Sequence, residues 1–392
     1  TFDPANNITT FTSLDLQSDR GSFEGTGQAI AQSIKDGLPQ AFIGQFAFAD
    51  ITLNPPGLYD DPLGIANASV DLRLSLDPFR IEIGQAVVTD SMLSFIAKGD
   101  ARATDAGWTT RLDLQADTFD IATLAAVWPA DVIPKTRAWF VNNLTGASFD
   151  KATFGMRTAP AVPPVIAAGF GFQDADIVFM KTMPPINDAT GYVSIAHNRM
   201  ALSLDAGQVT APTGGRVDIA GSTLVIEDLR KRDNRIALNL ESNSSITAAL
   251  SLLDQEPMRV MSKANRPVAI ADGRARLSGQ ISFPIGRKPG PGETIFDVSG
   301  VLARVSSDQI VPDRTLAGNG ISIRATNTSL RFDGDVTLDG VPMRGSYETA
   351  IGPAANGRGR VAAQLTISPQ TLDAFNIKLP PGSVAGRGRG EL

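Results

Sequence analysis

The run VDLRLSLD, Val70 to Asp77, decides how the rest of this 392-residue chain is read. Val70, Leu72, Leu74 and Leu76 point one way, while Asp71, Arg73, Ser75 and Asp77 point the other. A period of two is the mark of a strand with one apolar and one polar face. The pattern recurs at Phe46 and Phe48, at Ile51 and Leu53, at Ile81 and Ile83 around Glu82, and at Leu112 and Leu114 around Asp113. Past a proline-rich connection at Thr158–Pro164 it returns in short runs from Ile177–Phe179 to Val361–Ile367, among them Val217–Ile219, Leu224–Ile226, Ile236–Leu240, Ile321–Ala325, Ser329–Phe332 and Val336–Leu338. Strands at this spacing suit a sandwich, a barrel or a long antiparallel sheet. Asp272-Gly273, Asp333-Gly334 and Asp339-Gly340 read as tight hairpin turns, since Asp-Gly tolerates the positive φ such turns need.

Helical spacing is rarer. The longest helical segment, Ile121–Arg157, holds two of the three tryptophans, Trp128 and Trp139. Pro129 ends a short apolar turn, because proline lacks the N–H and clashes with the turn before it. Pro134 suits the first position of a second helix, with Ala138, Val141 and Leu144 on its apolar side, Trp139 and Phe140 widening it, and Gly146 as the stop. Such a face needs cover, so the segment is expected to cap a β structure with both tryptophans mostly buried. Ala29–Leu38 reads as a short helix through Ile30, Ile34 and Leu38. Ser245–Leu253 reads as another with Ile246, Ala249, Leu250 and Leu253 inward, and Ser368–Phe375 as a last one, opened by a serine cap and a proline.

Composition bounds the function. An apolar content of 42% allows a buried core. A formal net charge of −6 argues against nucleic acid, whose partners carry a basic face. With no cysteine there are no disulfides, thiolates or cysteine-held zinc. No run approaches the ~18 apolar residues of a membrane helix. A start at Thr1 rather than Met is read as a piece cut from a longer protein.

Catalytic signals are weak throughout. His197, the single histidine, reads as a loop residue, and a serine triad would have to use it. Asp174 with Asp176, and Asp60 beside Asp61, read as solvated carboxylates rather than a metal or acid–base pair. Gly25-Thr26-Gly27 lacks the remainder of a dinucleotide fingerprint. Arg230-Lys231-Arg232 is a basic loop tip, read as solvated, with an anionic headgroup as the sharper alternative. Nineteen Phe against three Trp and three Tyr lack the polar handles of a sugar platform. These features suit an alkyl ligand or a plain core, and a non-enzymatic protein needing no cofactor and no metal.

Within the helical segment, Leu124, Trp128-Pro129, Pro134, Arg137-x-Trp139 and Asn143-Leu144-x-Gly146 form a pattern that resembles the core of the bacterial AsmA-like proteins, in particular their YhdP-type branch, related in architecture to TamB. LSLLDQEP, DGRARLSGQISFPI and LDGVPMRGSYE downstream are similar too. Ala374-Phe375-Asn376 departs from the Leu-Gly pair of the family's closing layer. The resemblance implies a mainly β chain: a long twisted antiparallel sheet folded into an open groove, with a few short helices. It divides the chain into a groove segment 1–120, a helical insertion 121–157 and a second groove segment 158–392. Trp128, Pro129, Pro134, Arg137, Trp139, Asn143 and Gly146 become structural motif residues. The family implies a periplasmic protein of a Gram-negative bacterium, anchored to the inner membrane by a part outside this chain, that passes phospholipid or another acyl-chain lipid toward the outer membrane.

The apolar side of each alternating run supplies the candidate lining: Val70, Leu72, Leu74, Leu76, Leu112 and Leu114 in the first segment, and Ile219, Ile226, Leu238, Ile323, Phe332, Leu338, Leu365 and Ile367 in the last. Alternation alone leaves an ordinary sandwich core open for all of them. A scaffold module docking an envelope protein through sheet edges is the other functional reading. A glycan-active enzyme lacks a supported carboxylate pair.

Overall fold

Alternating side chains made one-sided strands across nearly the whole chain in the computed structural model. The structure describes all residues except 58, 60, 129–133, 232, 286–288, 291, 353–354, 356, 381–382, 384–385 and 392, and the side chains of 135 and 136. The chain is 63% strand and 9% helix, which makes it mainly β, with 25 strands and five short helices among the described residues. The pairings are antiparallel. Among the described residues no helix is long and apolar enough to cross a membrane. The chain divides into two units, Thr1–Asp176 with Thr190–Met200, and Ile177–Ala189 with Ala201–Leu392.

In the first unit seven strands form a meander: Ile8–Ser18, Gly21–Lys35, Leu38–Leu53, Leu63–Leu76, Phe79–Thr89, Phe95–Thr104 and Gly107–Ala116, each paired with the next. The chain then leaves the sheet for two helices, Ile121–Val127 and Pro134–Asn143, and returns as Ser148–Ala159. That strand pairs directly with Gly107–Ala116, Leu114 opposite Phe154, so the excursion leaves the ladder unbroken.

The second unit repeats the device. Arg235–Ser245 and Asp272–Pro284 pair along eleven positions although the helices Ile246–Leu253 and Val260–Lys263 lie between them in sequence. The ladder continues through Ile295–Ser307, Ile321–Thr326, Ser329–Leu338, Val341–Ala350 and Gly359–Ile367. A buried cluster lies where the first of these helices meets the sheet, with Ile246 against Ala275, Leu302, Val305 and Ile321.

Several readings of the sequence change: the last ten residues of the expected helical segment Ile121–Arg157 lie in the strand Ser148–Ala159, and the expected connection Thr158–Pro164 lies mostly in that strand and in Val162–Ile177. Ala29–Leu38 is not helical: Gly21–Lys35 is a strand, and Asp36-Gly37, both at positive φ, turns it into Leu38–Leu53. Cross-strand pairing from Gly21 to Lys35 outweighs the local helical spacing of Ile30, Ile34 and Leu38. Asp333-Gly334 lies inside the single strand Ser329–Leu338, where a Cβ on Gly334 would come within 3.0 Å of the Ile321 Cα. That glycine serves close packing rather than a turn. Asp272-Gly273 opens a strand at an irregularity, with Gly273 at φ 134°, whereas Asp339-Gly340 is the tight turn expected, with φ of 49° and 83°. In the helix Ile246–Leu253 the buried residues are Ile246, Ala248 and Ser251, while Leu253 is 40% exposed.

Candidate functional site: two apolar sheet faces

Strand register turns the alternating runs into surfaces. One row of the first unit reads Gly44, Leu72, Ile83, Gly99, Leu112 and Met156 across six neighbouring strands. The next reads Phe46, Val70, Ala86, Ala97, Leu114 and Phe154. Leu74 and Leu76 continue the same side of their strand, so all six candidates of this unit share one face. Every position in both rows is apolar or glycine.

Four phenylalanines extend this face, and the candidate lining omitted them. Phe46 and Phe48 stack at 6.1 Å, Phe11 meets Phe46 at 5.9 Å, and Phe23 meets Phe48 edge-on at 5.0 Å. The rings lie over glycine: a Cβ on Gly27 would come 2.3 Å from Phe46, and one on Gly25 2.8 Å from Phe48. The signal was present as Gly25-x-Gly27 opposite Phe46-x-Phe48, glycines giving the room that aromatic rings fill.

The other face is polar and internally paired. Arg80 bridges Glu82 at 3.0 Å and Asp100 at 3.5 Å, and Gln28 and Gln45 hand a hydrogen-bond chain to Asp71. Arg157 donates to Asp113 at 2.7 Å, which holds that carboxyl below its ordinary range, with Arg111 adding to the effect. Exposed pairs of this kind stabilise by well under ~1 kcal/mol each. Their work is to make inversion of the sheet costly, since a one-residue slip would send these charges to the apolar side.

In the second unit one row runs Leu277, Gly300, Ile323, Phe332, Tyr347 and Val361. Leu238 pairs Leu224 and Ile281, Ile226 pairs Ile236, Leu338 pairs Val341, and Leu365 pairs Met343. Ile367 pairs Gly388 on the same side of its strand as Leu365. Ile219 lies just past its strand and packs on Ala211, Val217 and Ala248. The eight candidates of this unit therefore also lie on one side, partly beneath the helix Ile246–Leu253. Ile323 and Phe332 pack against the cluster that this helix covers.

Burial distinguishes these faces from a sandwich interior. Of the fourteen candidates only Ile226 is buried, at 5%; Leu76 and Ile367 are 43% and 37% exposed, and the other eleven are half-buried. Two compact domains of half this mass each would together expose about 18,000 Å² by the usual mass relation; the chain exposes 23,726 Å².

The helical motif is a structural assembly. Asp120, the last residue before the first helix, accepts the Thr123 N–H at 2.7 Å. Arg137, from the second helix, donates to the carbonyls of Ala125 at 2.8 Å and Trp128 at 2.9 Å, satisfying orphan acceptors at the end of the first. Asn143 donates to the Trp139 carbonyl. Pro134 opens the second helix, and Gly146 lies three residues past its end at φ 70°; Pro129 lies outside the described residues. Phe140 packs edge-on against Phe170 at 6.4 Å, and Phe170 meets the buried Phe149 at 5.5 Å, which seats the insertion on the apolar face. The insertion meets the apolar face through Phe140 rather than through the two tryptophans expected to be mostly buried. Trp128 is half-buried, Trp139 is 43% exposed, Val141 is 42% exposed and Ala138 is exposed. Adjacent helical positions point about 100° apart, so with Phe140 inward Trp139 turns toward solvent.

Chemistry-bearing residues are dispersed. His197 is exposed in a turn at φ 52°, Arg230 is tied to Asp228 at 3.0 Å, and among the described residues no cluster of three metal-capable side chains forms. No curated protein and no solved structure matches the chain significantly. A family model described as "YhdP protein" matches residues 32–374, most of the chain, including all fourteen candidate lining residues and the helical motif. On that match, the chain belongs to the YhdP protein family.

Proposed function

We propose that the two apolar faces bind the acyl chains of phospholipid, and that the chain serves as part of a periplasmic, inner-membrane-anchored conduit carrying such lipid toward the outer membrane. One observation carries the reading: a one-sided apolar surface that stays half-buried across neighbouring strands, backed by a paired polar face. A protein that needed only stability would bury such a surface at about 25 cal/mol per Å². Left open, it offers the same desolvation to a ligand, roughly 0.8 kcal/mol per CH₂. The face is long enough. From Ala68 to Leu76 the face extends eight residues, about 27 Å at strand rise, which is longer than the ~15 Å that a leaflet's acyl chains span in a ~30 Å hydrocarbon core. Sliding along such a face breaks no specific polar contact, which suits conduction and needs no catalytic group, cofactor or metal.

Native mass spectrometry of the purified chain tests the reading, with bound phospholipid as the expected result. Leu72→Asp with Leu74→Asp separates groove from core. Loss of lipid with an unchanged far-UV spectrum supports the groove, whereas simple unfolding returns these residues to an ordinary core.

A scaffold role has one observation of its own. Among the described residues the strand Ile8–Ser18 is paired along its length only on the Gly21–Lys35 side, its other edge meeting just Phe2–Asp3. A stoichiometric protein partner without lipid would favour strand addition at that edge.

A further inference from the structure

The first unit's apolar face continues outward past its half-buried rows. Where neighbouring strands are joined by the tight turns 36–37, 77–78 and 105–106, its outermost residues are Leu38, Leu76, Phe79 and Trp108, exposed by 66%, 43%, 38% and 52%. Register sets Leu76 opposite Phe79 and Trp108 opposite Ala103, and the Phe79 and Trp108 rings meet edge-on at 5.8 Å. Leu76 continues the side of Leu72 and Leu74, and Trp108 that of Leu112 and Leu114. Turn-flanking positions usually go to polar residues, so four large apolar side chains here need an explanation. The opposite margin differs, since it carries the long connections 54–62 and 90–94 and the helical excursion that packs on the face.

The geometry points to this row as a lip that seats on a zwitterionic lipid surface, an inference resting on the acyl-chain reading above. The row is continuous with the face that takes the acyl chains, so a lipid passing between bilayer and face would stay in apolar contact. Four side chains fall far short of the roughly 20–30 residues a side that a stable protein interface uses, which sets aside a second copy of the chain. Trp108 joins a broad apolar ring to an indole N–H, the combination found where hydrocarbon meets water. Asp36, Asp77 and Asp105 sit exposed at the turn tips. Their carboxylates stay among hydrated headgroups, repel a second copy carrying the same tips, and disfavour an anionic surface.

Flotation of the full chain with phosphatidylcholine vesicles tests the lip, with Leu38→Ser/Phe79→Ser/Trp108→Ser as the variant and uptake of a dispersed short-chain phosphatidylcholine measured alongside. The wild type is expected to float, and to float less when phosphatidylglycerol is added. The variant's floating fraction is expected to fall several-fold while its uptake holds. Equal flotation of variant and wild type overturns the lip. A wild type that takes up no dispersed lipid overturns the acyl-chain reading instead. Self-association in sedimentation that the variant abolishes overturns the lipid assignment in favour of a second copy. Should the triple variant melt early, Trp108→Ser alone, at a side chain already half in solvent, carries the same comparison.

Discussion

The two helical excursions begin alike and end differently. Each leaves the sheet at the end of a strand whose last residue caps the helix: Asp120 accepts from Thr123 N–H, and Ser245 accepts from Ala248 N–H at 2.9 Å. Each also spans two strands that pair directly with one another. The helix Ile246–Leu253 (ITAALSLL) is apolar enough to bury Ile246 and Ala248, and Ile246 joins a core cluster with Ala275, Leu302, Val305 and Ile321. Pro134–Asn143 (PKTRAWFVNN) has no continuous apolar stripe. It is seated by one ring, Phe140, and tied to its companion helix by Arg137. One excursion is thus held by burial and the other by a cationic cap and an aromatic contact. Helical spacing announced both, but only residue-by-residue burial shows which attachment each uses.

Substitutions at five residues put that contrast under strain. Ile246→Ala is expected to have the largest effect, about 2–5 kcal/mol for truncating a core aliphatic, read from a urea midpoint with unchanged slope. An effect below ~1 kcal/mol would mean the helix merely rests on the sheet. Arg137→Ala should cost about 2 kcal/mol, since charge-assisted bonds to two carbonyls of the first helix are lost together; Arg137→Lys, which lacks the forked geometry, should recover only part of it. The caps come next. Ser245→Ala and Asp120→Ala should each cost about 1 kcal/mol at neutral pH, but only the second should depend on pH. The Thr123 N–H holds the Asp120 carboxyl below its ordinary range. Its contribution is therefore complete above the unfolded value near ~3.9 and is lost as pH falls through the lower folded value. The gap between wild type and Asp120→Ala should close on acidification, while the Ser245→Ala gap stays constant; parallel gaps would remove the charge from the account. Trp139→Ala should fall within about 0.5 kcal/mol, because its ring stands largely in water. A loss comparable to that of Arg137→Ala would show that it, rather than Phe140, seats the insertion.

The last helix supports the cationic-cap pattern. Ser368 accepts from the Thr371 N–H, Pro369 opens the helix, and Arg314 reaches back to the carbonyls of Ala374 and Phe375. Ser368 and Pro369 were legible because a capping side chain and a proline act on their own neighbours. Arg314 lies some sixty residues away and was not. The same distinction explains the misread segment 29–38, whose local spacing fits a helix and whose strand state comes from pairing with Leu38–Leu53. It also explains Asp333-Gly334, where the need for glycine arises from Ile321 on the neighbouring strand.

The sequence by itself determined the strand-dominated class, the sidedness of nearly every strand, the positions of the capped helices and the family pattern around Trp128 and Arg137. Those properties are written into periods of two and short-range hydrogen bonds. Tertiary structure decided the rest. Register brought Val70, Ala97, Leu114 and Phe154 into one row, laid Phe46 over Gly27, turned Trp139 outward, and left the apolar faces half-buried rather than closed. Whether an apolar face becomes a core or a binding surface depends on what packs against it, and no single strand carries that information.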